Sequence, residues 1–448
     1  MYERYETLRL FEQSKDFFET TVCKNIEKYR KGSIEIEFTD KNGNSIEGAQ
    51  VKIRQKSHAF RFGANIFMLD EFETAEKNEL YKKRFCDVFN MATLPFYWNA
   101  LEPQRGKLRY DKNSTPYYRR PPIDLCMEFC LQNGIEPREH ALAYERHFPA
   151  WLRGKDTKAV KFLLEERYRQ IAARYGDKIP TIEVTNEMFW WEGNTSFYDE
   201  DDYVEWCFKT AEKHFPKNQL VINEATEECW RDVRRATSKY YSYIQKALMS
   251  GARIDAIGMQ FHMFYSREEE LERSGSLYNP QNLYNYLDFY SRLINKLQIT
   301  EVTIPAYSND PKDEEIQARL IEYLYKLWFS HPSVEQIIYW NLIDGYAYVE
   351  NPTLEEIRRS QGDMTIGENV YYGGLLRFDM SPKPAYETIK RLTKEIWHTS
   401  LDLESNTRGR VCFRGFYGDY EMEISHGGMT KSFDFTLSRD MPNLKFEI

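Results

Sequence analysis

Apolar positions along the chain follow two periods, and each predicts a different kind of element. Over 5–30, Phe11, Phe18, Val22 and Ile26 are spaced by seven, four and four residues, the repeat of one helix face. From Ile34 the period shortens to two. Ile34, Ile36 and Phe38 alternate with polar residues, Asn42-Gly43 supplies a turn, and Val51 and Ile53 alternate again, which predicts a β-hairpin. The same texture returns at the far end in Tyr420, Met422, Ile424; Phe433, Phe435, Leu437; and Leu444, Phe446, Ile448. Neither set can bury its apolar face alone. A small β-sandwich built from 32–57 plus 405–448 is therefore expected, preceded by an N-terminal helix in 1–31.

Between these ends, short apolar runs alternate with helical periods. Strands are predicted at 60–67, 90–96, 138–144, 180–186, 219–223, 254–261, 298–304 and 336–342. Among the helical stretches, 158–175 places Val160, Leu163, Leu164, Ile171 and Tyr175 on one face, and 313–329 does so with Ile316, Leu320, Leu324 and Leu327. Alternating strands and helices imply βα units around a parallel sheet. Eight of them over 58–400 predict an α/β fold, a (β/α)8 TIM barrel with sizeable loops.

Composition narrows the function classes. The net charge of −9, without a clustered basic stripe, argues against nucleic acid or an anionic membrane as partner. The charged N-terminus lacks the apolar core of a signal peptide, and no stretch approaches the ~20 apolar residues of a membrane span. Seven cysteines are odd in number and scattered. Cys126 and Cys130 suit one helix face, but no second ligand pair stands nearby for zinc. Free thiols point to the cytoplasm, although a secreted chain whose leader has been removed would look the same. No Gly-rich phosphate loop is present, so neither a cofactor nor a metal is expected.

In such a barrel the active site gathers at the C-terminal ends of the strands. Strand four runs through Val184-Thr185 into Asn186-Glu187, and strand seven through Ile299-Thr300 into Glu301. Two carboxyl groups closing two apolar strands suit glycoside hydrolysis, which needs one protonated and one ionised acid. With 70 acidic residues in the chain, either placement alone is unremarkable. The neighbours add weight: Arg138-Glu139-His140 on strand three, Gln260-Phe261-His262 on strand six, and Trp340-Asn341-Leu342-Ile343-Asp344 on strand eight. Asn186 suits a group that holds a sugar 2-OH. His262 is placed to hold Glu301 ionised through a hydrogen bond. Glu224, closing strand five, is a rival carboxylate.

At these residues the sequence resembles glycoside hydrolase family 10, the xylanase family. The matching stretches are Phe62-Gly63-Ala64, Trp98-Asn99-Ala100-Leu101-Glu102-Pro103, Arg138 to Leu142, Val184 to Glu187, Ile257 to His262, Ile299-Thr300-Glu301 and Leu375 to Tyr386, in order over about 58–398. The resemblance implies Glu187 as acid/base and Glu301 as nucleophile. It also implies that Asn186, His140, Gln260, His262 and Trp340 line the subsite where the bond breaks, with Glu224 supporting the site rather than reacting.

The departures concern the sugar grip. Where the family carries polar groups after strand two, this chain has Thr93, Leu94 and Tyr97. Tyr144 and Glu145 replace a tryptophan and a histidine, and Tyr348 a second tryptophan. Leu94, Tyr97 and Tyr144 are expected to form an apolar, aromatic wall, unless Arg119 or Arg120 restores the lost polar contacts. Three readings follow. One is an endo-β-1,4-xylanase-like retaining hydrolase acting on xylan or substituted xylo-oligosaccharides. The second is an exo-acting or oligosaccharide-specific β-glycosidase, and the third a non-catalytic carbohydrate-binding protein. All three imply an oligosaccharide or polysaccharide as partner.

Overall fold

The computed structural model describes residues 3–190, 192–230, 238–350, 353–360 and 362–448. Its centre is a closed barrel of eight parallel strands. These are β3 (Arg61–Asn65), β4 (Met91–Pro95), β5 (Glu136–His140), β6 (Thr181–Asn186), β7 (Gln219–Glu224), β8 (Ala256–His262), β9 (Leu297–Thr303) and β10 (Val334–Tyr339). Each pairs with the next, and β10 closes on β3 through Gln336–Arg61 to Tyr339–Ala64. Side chains of β4, β6 and β9 are buried along their whole length, because helices cover the outside while the inward set fills the interior. β5 is shorter at its end than the alternation predicts. Beyond His140, Leu142 and Ala143 still donate to Glu183 and Val184 carbonyls, at 2.9 and 3.0 Å, while the chain turns out over the rim.

The N-terminal segment is helical from Glu3 to Arg30 in successive short pieces rather than as one helix. Its periodic face is the buried one. Phe11 stacks on Tyr323 at 4.9 Å, and Phe18, Val22 and Ile26 are buried with it against the barrel helix Pro311–Ser330. Arg4, also buried, pairs with Glu270 at 2.9 Å.

Two further sheets combine both ends of the chain. β1 (Lys31–Thr39) lies between β12 (Arg410–Phe416) and β15 (Leu444–Glu447), and β2 (Gln50–His58) between β11 (Ser400–Glu404) and β13 (Gly418–His426), which pairs in turn with β14 (Met429–Leu437). The hairpin expected over Ile34–Ile53 is therefore not formed, since β1 and β2 sit in different sheets. A two-stranded ribbon would leave both apolar faces on one uncovered side. Split between sheets, Ile34, Ile36 and Phe38 share one core with Val51, Ile53, Met422, Ile424 and Leu437. This unit packs on the strand starts of the barrel, where Phe416 of β12 joins the main core beside Phe329, ring centres 6.2 Å apart. All seven cysteines are free.

Candidate active site

The opposite end of the barrel opens into a pocket. Its lining includes ten of the side chains singled out in the sequence: His140, Asn186, Glu187, Gln260, His262, Glu301, Trp340, Tyr97, Tyr144 and Tyr348. Glu187 follows the last residue of β6 with φ of 51°, in the left-handed region that a non-glycine residue occupies only when its surroundings impose it. They do so on both sides. The Glu187 amide donates to Asn223 O at 3.2 Å, and the Met188 amide donates to the Glu224 carboxylate at 2.5 Å. Glu224 accepts from the Ala225 amide as well, at 2.6 Å. It is thus a backbone clamp behind the pocket, not a rival within it.

Three donors orient the Glu187 carboxyl. Tyr144 Oη and Trp190 Nε1 donate to Oε2 at 2.6 and 3.0 Å, and Gln260 Nε2 to Oε1 at 3.1 Å. Glu301 is deeper. Its Oε1 accepts from Asn223 Nδ2 at 3.0 Å, and its Oε2 lies 3.1 Å from His262 Nε2. The His262 hydrogen bond expected from the sequence forms, yet it does not hold Glu301 low. Burial pushes this carboxyl up to about 8; the His140 charge opposes that rise, while Glu183 and Glu187 add to it. Burial also lowers His262 to about 4, so its ring is neutral, with Nδ1 placed to accept from Thr303 Oγ1 at 2.9 Å.

Behind the two glutamates lies a polar cluster in which Arg138 and His140, expected at the site, are joined by Glu183 and Asn223, which the strand-end pattern does not pick out. Arg138 forms a fully buried ion pair with Glu183. His140 bridges Glu183 Oε1 (2.8 Å) and the Tyr97 hydroxyl (2.9 Å). Asn223 joins everything together: Nδ2 reaches Glu183 Oε1, Asn186 Oδ1 and Glu301 Oε1, while Thr300 Oγ1 donates to Oδ1 at 2.6 Å. β8 has a glycine opposite, Gly258, where a Cβ would come within 2.5 Å of Asn223 Oδ1. A signal was present. Arg138 and His140 are two residues apart, the period that puts side chains on one face of a strand. Ligand atoms of His140, Glu183 and Glu301 lie within 4.8 Å of one another, close enough for a cation. Arg138 already compensates Glu183, however, and the Asn223 amide is shared between Glu183 and Glu301, so the geometry is that of a hydrogen-bonded cluster.

The aromatic wall differs from its expected composition. Leu94 belongs to the main core and Thr93 is fully buried; neither lines the pocket. Phe67 takes the place assigned to Leu94, clustering with Tyr97, Ala100 and Trp340 beside Tyr144. The long segment after β4 brings in Arg119 and Arg120, and the loop after β5 brings in Arg146 and His147. Asp344 ties the segment after β10 to Gly374 N at 2.7 Å and to Lys383 at 2.5 Å.

Comparison with known proteins agrees with this geometry. A family model described as glycosyl hydrolase family 10 matches residues 54–392. The chain is 26% identical over 422 residues to anti-sigma-I factor RsgI6 of Acetivibrio thermocellus, covering 92% of this chain and 47% of that protein. It is 25% identical over 406 residues to endo-1,4-beta-xylanase 2 of Arabidopsis thaliana, covering 88% and 32%. The chain thus spans less than half the length of these curated relatives. Among solved structures, native xylanase 10B from Thermotoga maritima superposes with a TM-score of 0.57 at 19% identity, over 75% of this chain and 96% of that one, a likeness of fold. With its family match running from β2 to the helix Pro384–Arg391 and enclosing the whole pocket, this chain belongs to glycosyl hydrolase family 10.

Proposed function

We propose that this chain is a retaining, endo-β-1,4-xylanase-like glycoside hydrolase, with Glu187 as acid/base and Glu301 as nucleophile. The observation that carries the reading is the pair itself. Two glutamates close β6 and β9 in one pocket, each held by its own donors, and Gln260 and Asn223 both reach Asn186 between them. The two glutamates share one proton, and the reactive arrangement is the one with it on Glu187: in the first step that proton passes to the glycosidic oxygen as the ionised Glu301 oxygen bonds to the anomeric carbon and the C–O bond breaks. In the second, Glu187 takes a proton from water, whose oxygen displaces Glu301 and restores the original anomeric configuration. The Asn186 amide nitrogen is buried without a partner, which suits a donor reserved for a sugar hydroxyl.

The altered sugar grip, where Tyr97, Tyr144 and Tyr348 stand on the glycone side of the cleft, favours substituted xylo-oligosaccharides over bare xylan, and keeps an exo-acting or oligosaccharide-specific β-glycosidase as a second reading. Among the described residues, no helix is long and apolar enough to cross a membrane. The test is a pair of variants. Glu301→Ala should abolish turnover on every substrate. Glu187→Ala should lose natural substrates while keeping activated aryl glycosides, which need little protonation, and azide should rescue it. Equal loss on both leaving-group types without rescue refutes the division of roles, and a wild type inert on all β-glycosides leaves the carbohydrate-binding reading.

A further inference from the structure

We infer that Arg119 and Arg120 form a carboxylate-binding subsite on the glycone side of the pocket, so that the sugar held there is a uronic acid or carries a uronyl branch. This deepens the reading of the previous subsection and rests on it. Both arginines line the pocket. Arg119 is only 4% exposed. Arg120 stacks on Tyr97 with its guanidinium carbon 3.6 Å from the ring centre, and both guanidiniums lie over Phe67, at 5.4 and 5.3 Å. They therefore converge on one patch of the wall.

Neither charge is neutralised by a carboxylate at ion-pair distance among the described residues. The hydrogen bonds that hold them go to backbone carbonyls: Arg119 Nη1 donates to Tyr346 O at 2.6 Å, and Arg120 Nη1 to Arg119 O at 2.8 Å. Arg119 Nε is buried without a partner. Two adjacent guanidiniums with no counter-ion are costly to keep out of water, since an unpaired buried charge costs several kcal/mol. Burial lowers Arg120, and the neighbouring Arg119 charge pushes in the same direction, while Tyr97 opposes. The backbone adds to the cost, because Arg119 has φ of 58°, left-handed for a non-glycine residue. The pocket carboxylates are committed elsewhere: Glu187 and Glu301 as described, Glu227 accepting from Tyr265 Oη at 2.8 Å, and Glu368 from Asn341 Nδ2 at 3.0 Å. A ligand carboxylate would supply the missing charge, and the planar forks of arginine match its two oxygens. The surrounding rings of Phe67, Tyr97 and Trp340 keep the patch poorly solvated, which strengthens the attraction.

The experiment compares a xylo-oligosaccharide bearing a glucuronyl branch with its carboxyl-reduced counterpart, identical except that –COOH becomes –CH2OH. The wild type should favour the acid form in kcat/KM by roughly 10- to 100-fold, the range of one charge-assisted hydrogen bond. That ratio should fall towards one in Arg120→Gln and stay intermediate in Arg120→Lys, which keeps the charge and loses the fork. A wild-type ratio near one, or an unchanged ratio in Arg120→Gln, overturns the proposal. If neither sugar is cleaved, the hydrolase reading fails and the subsite is judged by calorimetric titration of the wild type. Tighter binding of free glucuronate than of glucose, lost in Arg120→Gln, supports it, and equal binding overturns it.

Discussion

Replacing Glu301 by glutamine should stabilise the protein by an amount that grows with pH. In the folded chain, burial raises this carboxyl from its ordinary 4.5 to about 8; His140 opposes the shift, and Glu183 and Glu187 reinforce it. The native state therefore binds a proton that the unfolded chain has already lost between these values. Stability attributable to Glu301 is intact below pH 4.5 and declines as pH rises towards 8. Between pH 4.5 and pH 7 this is on the order of 3 kcal/mol, at about 1.4 kcal/mol per pH unit. Glutamine cannot ionise and escapes the loss. Its carbonyl can still accept from Asn223, and the neutral His262 can accept from its amide by changing tautomer. An unfolding entropy of about 2 cal/mol/K per residue over a chain this long converts that energy to about 3 °C in Tm at pH 7. Thermal unfolding of both proteins at pH 4.5, 6, 7 and 8 is the assay. The curves should coincide at pH 4.5 and separate progressively, with Glu301→Gln on top. A difference independent of pH, or a wild type more stable at pH 8, would show that burial does not raise Glu301.

The same electrostatics predicts that Glu187→Gln, assayed on an activated aryl glycoside, moves the acidic limb of kcat/KM to lower pH. One negative charge that raises Glu301 is then gone; an unmoved limb refutes the coupling. Deleting 405–448 removes Phe413, Met422, Ile424 and Leu437 from the core shared with β1 and β2, at roughly 1.5–3 kcal/mol for each large apolar side chain. The truncated protein should be insoluble or strongly destabilised, and an unchanged Tm would show the terminal strands to be independent. Turnover of unsubstituted xylohexaose should be weak, because two or three missing hydrogen bonds of about 0.5–1.5 kcal/mol lower binding by roughly fivefold to a thousandfold. A specificity constant typical of efficient glycosidases would show that the lost polar groups do not matter.

Much of the site was legible because a barrel projects strand-end residues into one place. Asn186-Glu187, Gln260, His262 and Glu301 each end an apolar run, and the closed barrel brings them to one pocket. Leu94 was misplaced for a related reason. The residue lies on β4 itself, and its side chain joins the main core, whereas Phe67, just past β3, reaches the wall. The pairing of β1 with β2 was also misread, since alternation reports which face is buried and not which edge finds a partner.

The order of elements, the barrel, the buried face of the N-terminal helical segment and the strand ends that carry carboxylates can all be read along the linear chain. These follow from local periodicity, which burial imposes residue by residue. Folding in three dimensions governs what depends on residues far apart in the chain. It set Asn223 between Glu183, Asn186 and Glu301, and placed Arg119 and Arg120 against Phe67. It also raised Glu301 despite its histidine partner. Desolvation and ion pairing are set by the whole surroundings of a group, and those surroundings exist only once the strands have closed.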